Sequence, residues 1–318
     1  MTGFEQVRSV QQPEVNVREA VEVTEGHMMY RKYIAPTTNK EFVFVKAHDA
    51  NLFSDQLACE HSLSYLHHEA AIMTGLKQQG YPHLPDFVSF HCNSLVMTAA
   101  RTEDGWYWDM PTVKSEQDQY VQDVLAAFDE LEKVPAEALG NVSFSSSSTD
   151  VLHNGGWPQL KSETTRKKIL QQMERFEPQF HAHVQQGVKR LMHLLRSGEF
   201  EELADIATKH TALPRTSLAH FDARQSNIAW HPEKGVIVVD WSWASPAPAG
   251  CDKTMLIIDV FKSGYELGNL ENWSPNIGYA VTQMGYWLVR SIAPTPAEDG
   301  TVRFHQLASA ASTATLLL

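Results

Sequence analysis

The first hundred residues alternate between short apolar runs and turn chemistry. Residues 20–33 and 41–47 are rich in β-branched and aromatic side chains, with Thr37-Thr38-Asn39-Lys40 between them, which predicts two strands joined by a turn. The period changes over residues 56–78, where Leu57, Leu63, Leu66, Ala70, Met73 and Leu76 fall on one broad helical face and Gly80-Tyr81-Pro82 stops the helix. Two further strand-like runs follow at 87–91 and 94–99. Beyond residue 100 the helical period dominates. Residues 120–131 turn Val121, Val124, Leu125, Phe128 and Leu131 inward. Residues 141–157 contain four consecutive serines and two glycines and read as a loop. Residues 167–197 read as one or two long helices with a break at Pro178, and 254–267, 277–292 and 304–317 as three more. The apolar tail at 307–318 is best explained as a packed C-terminal helix. The pattern predicts an α+β chain in two parts, residues 1–98 with an antiparallel sheet and one helix and residues 99–318 mainly helical, hinged near 98–102.

Composition narrows the function. With 318 residues the chain suits one large domain or two lobes, and its net charge of -12 argues against a nucleic-acid binder, which needs a positive face. An acidic surface is compatible with a cationic small-molecule acceptor. Cys59, Cys92 and Cys251 are scattered without a CxxC spacing, so reduced thiols in a cytoplasmic protein are expected. The N-terminus lacks an apolar signal core and no window suits a membrane span. The 15 histidines include His61, His67 and His68 on one helix and a His181-x-His183 pair, but no convergent metal set is legible.

The chemistry concentrates between Ser217 and Ala244. His220, Asp222 and Asn227 share one short segment, and Asp240 follows thirteen positions after Asn227. Between them, Ile228-Ala229-Trp230 and Val236-Ile237-Val238-Val239 flank His231-Pro232-Glu233-Lys234-Gly235, which predicts a hairpin. A hairpin returns the chain, so Asn227 and Asp240 come to lie side by side and offer hard oxygens to one cation, as magnesium prefers. An acid on a loop ahead of such a pair is the layout of phosphoryl transfer from a nucleotide.

His220-x-Asp222-x4-Asn227 followed by Asp240 resembles the catalytic loop and metal-binding acid of the protein-kinase-like superfamily. Asp240-Trp241, in place of Asp-Phe-Gly, is similar to the aminoglycoside phosphotransferase family of small-molecule kinases, which includes choline-, homoserine- and fructosamine-type kinases. The resemblance implies a bilobal kinase-like fold, ATP or GTP as donor, Mg2+, and a hydroxyl on a small molecule as acceptor. It casts Asp222 as general base, Asn227 and Asp240 as magnesium ligands, His220 as a brace and Arg224 as a charge partner of the transferring group. Asp252, after Gly250, takes the place of a structural aspartate behind the site. Phe221 stands where the family has glycine, and a peptide-docking segment is lacking between Asp240 and Asp252.

The N-terminal part supplies matching pieces. Val43-Phe44-Val45-Lys46 ends a strand with a lysine and resembles the Val-Ala-Ile-Lys pattern, which implies contact with the nucleotide phosphates. Glu69 is the favoured helix partner for Lys46, with Glu60 the competitor. Met97, Thr98 and Ala99 lie on the stretch that links the lobes, where backbone groups are implied to read the adenine edge. Only Thr24-Glu25-Gly26-His27-Met28 offers a turn over the phosphates, with a single glycine. Trp106, Trp108, Trp241 and Trp243 are candidates for walls of an acceptor pocket, and Glu103, Asp104 and Asp109 for attraction of a cationic acceptor. A catalytically silent nucleotide-binding module is the alternative, supported by the poor glycine content and by Phe221.

Overall fold

The computed structural model describes residues 19–23, 29–39, 41–139, 142, 155–270, 274–294 and 301–318. Five strands form an antiparallel sheet: β1 (Val21–Glu22), β2 (Arg31–Pro36), β3 (Phe42–Ala47), β4 (Phe87–His91) and β5 (Ser94–Thr98), in the order β1-β2-β3-β5-β4. The single strand expected over 20–33 is two, because the chain folds back and pairs Val21 with Ile34. The Thr24–Met28 turn lies outside the described residues. The expected turn before β3 closes with Thr37 N–H donating to Glu41 C=O at 2.7 Å.

Helix α1 (Gln56–Gln78) begins where Asp55 caps it, its carboxylate accepting from the N–H groups of Leu57 and Ala58. Its inner face carries Leu66, Ala70, Met73 and Leu76, and Glu69 is buried among them. Leu57 is 58% exposed, against the expected inward face, because burial on this helix starts only at Ser62.

The rest of the chain is mainly helical: α2 (Lys114–Leu131), α3 (Trp157–Leu160), α4 (Glu163–Phe176), α5 (Gln185–Ser197), α6 (Glu201–Thr211), α7 (Cys251–Lys262), α8 (Ile277–Arg290) and α9 (Thr301–Leu317). Pro178 separates α4 from α5 within a short 3-10 turn, as its missing N–H requires. Of the loop expected at 141–157, residues 142 and 155–157 are described, and Trp157 already opens α3. The tail forms α9, buried through Leu307, Ala308, Ala310, Ala311 and Ala314. Its small residues admit α5 closely: a Cβ at Gly187 would stand 1.8 Å from the Ala311 carbonyl oxygen. Among the described residues no helix is long and apolar enough to cross a membrane.

Two small strand pairs position the chemistry. Strand β6 (Ser217–Ala219) pairs with β9 (Ser245–Ala247), and β7 (Ile228–His231) with β8 (Gly235–Val238). The second pair is the expected hairpin. Ile228 faces Val238, and Val239 N–H donates to Asn227 C=O at 2.9 Å, so Asn227 sits beside the residue that precedes Asp240.

Candidate active site

Strand β3 delivers Lys46 into the interior, 4% exposed. Its ammonium lies 2.7 Å from Glu69 Oε2 and 3.0 Å from Asp240 Oδ1, and 4.6 Å from the centre of the Tyr30 ring. Glu60 instead accepts from Gln56 on the exposed side of α1. Burial opposes the charge on Lys46, but Asp240 and Glu69 overcome it and raise the pKa above that of an ordinary lysine. Burial likewise opposes ionisation of Asp240, yet Lys46 and the Ser242 hydroxyl, 2.9 Å from Oδ1, hold its carboxyl well below the usual range. Asp240 is thus a carboxylate at neutral pH.

The second cluster hangs on Asp252, in the first turn of α7. One of its oxygens accepts the His220 N–H at 2.6 Å and the other the Phe221 N–H at 2.9 Å. Two successive N–H groups converge on one carboxylate only if the backbone turns sharply, and Phe221 takes φ 62 to do so. That left-handed conformation suits glycine and strains phenylalanine. Burial pushes the Asp252 carboxyl up to about 6, against the pull of His220 and the two N–H donors.

His220 ties the loop to the hairpin. Its Nδ1 accepts the Asp222 N–H at 3.2 Å, which leaves the proton on Nε2 to donate to Val239 C=O at 2.9 Å. The Asp222 carboxylate is clamped by Arg224, Nε to Oδ1 at 2.6 Å and Nη2 to Oδ2 at 2.7 Å. Asn227 Nδ2 donates to the Asp222 carbonyl and to Oδ2, each at 2.9 Å. Arg224 therefore forks onto Asp222 itself, because a tight turn two residues long brings its planar guanidinium across the carboxylate.

The donors to Asp222 orient Asn227 so that its Oδ1 is left over, and Asp240 keeps Oδ2. Neither oxygen accepts a hydrogen bond among the described residues. An amide oxygen and a carboxylate oxygen suit a hard divalent cation. Among the described residues no group of three or more His, Cys, Asp or Glu could hold a metal, so an ion here would complete its shell with ligands from outside the protein, water or phosphate oxygens.

In the linking stretch two backbone donors are spent inside the fold. Met97 is buried, and the N–H groups of Thr98 and Ala99 are committed to Asp86 C=O at 2.9 Å and Phe42 C=O at 3.0 Å. They are unavailable to a base. The next donor, the Ala100 N–H, has no partner among the described residues.

Of the tryptophans, Trp241 is core: it is fully buried, donates to Val238 C=O at 2.9 Å and meets the His220 ring edge-on at 4.7 Å. Trp106 is also buried, against His231. Trp108 donates to Ala100 C=O, and Trp243 stacks on Tyr65 at 5.8 Å. Asp104 is engaged by Arg101 at 2.7 Å.

One network escaped the sequence reading. Gln225 donates from both its N–H and its Nε2 to Asp259 Oδ2, each at 3.0 Å, and accepts from Met110 N–H at 3.0 Å. Lys262 pairs with the same Asp259. The available signal was a lone acid in the apolar run Leu256-Ile257-Ile258-Asp259-Val260.

A strand lysine held by a helix glutamate, facing two acids and an amide carried on loops, defines the kinase-like class of phosphoryl-transfer folds. The model of the phosphotransferase enzyme family matches residues 56–272, more than half of the chain, and the chain belongs to that family. Among solved structures it is similar to an aminoglycoside-3'-phosphotransferase of type VIII (13% identity, TM-score 0.47, covering 92% of this chain and 94% of that one). It is similar also to the choline kinase LicA from Streptococcus pneumoniae (14%, 0.49, 94% and 94%). A third is a putative fructosamine-3-kinase from Thermobifida fusca (14%, 0.48, 96% and 95%). Likeness at this level says nothing of the acceptor. No curated protein matches the chain.

Proposed function

We propose that this protein is a small-molecule kinase that moves the γ-phosphoryl group of ATP or GTP to a hydroxyl of a small acceptor. The observation that carries the reading is the convergence of Lys46, Glu69 and Asp240 on one side with Asp222 and Asn227 on the other, joined through His220 and Val239. The nucleotide sits between the sheet and the β7–β8 hairpin, with the lobe boundary at residues 98–99 and the adenine edge at the Ala100 N–H. Lys46 binds the α- and β-phosphates, and Glu69 keeps its ammonium aimed. Asn227 Oδ1 and Asp240 hold Mg2+, which supplies neutralisation of the phosphate charge. Asp222 takes the proton of the acceptor hydroxyl as its oxygen bonds to phosphorus, and the bond to the bridging oxygen breaks toward the departing diphosphate. Arg224, on Asp222, offsets charge that gathers there. The free thiols of Cys59, Cys92 and Cys251 support a cytoplasmic setting, and the acidic composition supports an acceptor other than nucleic acid.

The test is ADP release with Mg-ATP and a panel of hydroxylated small molecules, wild type against Asp222→Asn. Loss of a general base lowers turnover by about 10²–10⁴-fold. Equal inertness of both proteins, with Mg-ATP still bound, replaces the kinase by a silent nucleotide-binding module.

A further inference from the structure

Helix α8 carries a polar stripe through an otherwise apolar element. Tyr279, Gln283, Tyr286 and Arg290 are spaced four, three and four residues apart, which places them on one face. The stripe rises from the interior to the surface: Tyr279 and Gln283 are each 2% exposed, Tyr286 is half-buried and Arg290 is exposed. Its inner end packs against the catalytic loop, with the Tyr279 and Phe221 rings 6.1 Å apart. Tyr286 lies within electrostatic reach of Asp222 on one side and of Arg290 and Arg303 on the other.

This stripe offers donors without acceptors. Arg303, on α9, is 6% exposed, and its two terminal nitrogens meet only neutral oxygens, Gln306 Oε1 at 2.9 Å and Pro294 C=O at 2.5 Å. Its buried Nε has no partner among the described residues. Among the described residues neither Arg290 nor Arg303 meets a carboxylate, and each lies in the field of the other. Burial, and then Arg290, hold the Arg303 pKa below that of an ordinary arginine. A buried guanidinium is normally paired, and a buried orphan donor costs stability. Two arginines that share Tyr286 as a neighbour with the proposed base, and that meet no carboxylate among the described residues, are the reverse of what a cationic acceptor needs.

We propose that Arg290 and Arg303 anchor an oxyanion, carboxylate or phosphate, on the acceptor, and that the acceptor lies along Tyr286 with its hydroxyl toward Asp222; this deepens the kinase reading and rests on it. The Tyr65–Trp243 stack, with Tyr65 also within electrostatic reach of Tyr286, contributes an aromatic wall to the same mouth. The acidic composition then reflects the outer surface rather than the acceptor site.

The test uses the whole chain and simple anions. Potassium sulfate, phosphate and acetate are titrated against potassium chloride at constant ionic strength, following thermal unfolding, with wild type, Arg290→Gln and Arg303→Lys. The first variant is at an exposed position and the second retains the charge but not the fork. Wild type is expected to be raised in Tm by at least one oxyanion beyond chloride, and each variant to bind it at least tenfold more weakly. A response to acetate marks the group as a carboxylate, and one confined to sulfate and phosphate as a phosphate. No response beyond chloride, or an unchanged response in both variants, overturns the proposal. A parallel titration with Mg-AMPPNP, wild type against Lys46→Met, reads the nucleotide site alone. A missing nucleotide shift sinks the kinase reading, while the dependence on Arg290 is scored separately.

Discussion

Phe221 provides the sharpest test of how the catalytic loop is built. Its φ of 62 is imposed by the convergence of two N–H groups on Asp252. A left-handed conformation costs an L-residue roughly 1–2 kcal/mol, and glycine escapes that cost. At ordinary sites glycine is less stable than alanine by about 0.5–1 kcal/mol, because its unfolded chain is freer. Both Phe221→Ala and Phe221→Gly lose the ring, which is 6% exposed and packs near Tyr279, at about 3–5 kcal/mol. The ring loss is common to the pair, so their difference isolates the backbone. Relief of strain less the entropy penalty spans about 0–1.5 kcal/mol and centres on Phe221→Gly being more stable than Phe221→Ala by about 0.75 kcal/mol, the inverse of the usual order. Urea unfolding of the two variants, with equal m-values, measures this directly. Alanine equal to or more stable than glycine would refute the idea that Asp252 holds this turn in a strained state.

Three other perturbations separate further parts of the structure. Lys46→Met leaves Glu69 buried without its cation, where burial already raises its pKa, and should cost about 3–5 kcal/mol in urea unfolding, whereas Lys46→Met with Glu69→Leu should recover much of it; no recovery would mean the pair is not a buried ion pair. Gly187→Ala drives a methyl into the Ala311 carbonyl on α9 and should cost at least about 1–3 kcal/mol by thermal unfolding, with a neutral result denying the α5–α9 contact. The contributions of two acids to the pH dependence of stability should have opposite signs on either side of about pH 4, because their pKa values shift in opposite directions. Asp252 has a raised folded pKa, so its favourable contribution is complete below about pH 4 and is lost as pH rises through about 6. Asp240 has a depressed one, so its contribution is present above about pH 4 and lost as pH falls below it. In chemical denaturation across this range Asp252→Asn should flatten only the upper limb; a slope unchanged between pH 4 and 6 would contradict the burial of that carboxyl.

Where a boundary has a local cause, it could be read from the residues. Asp55 and Gly80-Tyr81-Pro82 fix the ends of α1, and Pro178 fixes the break between α4 and α5. The β7–β8 hairpin was legible because apolar runs flank a polar turn that ends in glycine, and with it the placing of Asn227 beside Val239, which precedes Asp240. High β-propensity at residues 20–23 and 29–33 makes residues 20–33 read as one run although Gly26 offers a turn within it, since a single glycine does not fix which strands then pair. Helix α6 was missed: its buried residues are only Leu203, Ala207 and His210, too sparse a stripe to stand out among charges. That the N–H groups of Thr98 and Ala99 go to Asp86 and Phe42 is set by sheet register, which side chains do not encode. The fork between Arg224 and Asp222 and the meeting of Arg290 with Arg303 depend on tertiary placement, and neither has a sequence signature.

The imidazole of His220 has a mechanical consequence. By gripping Val239 with one nitrogen and Asp222 with the other, it joins the Asp222 loop and the strand end that carries Asp240 into a single block. Asp240 in turn pairs with Lys46, so the sheet is fastened to the same block through that ion pair. Under the kinase function proposed above, cutting the imidazole link would free the Asp222 loop while leaving the Lys46 side of the site in place.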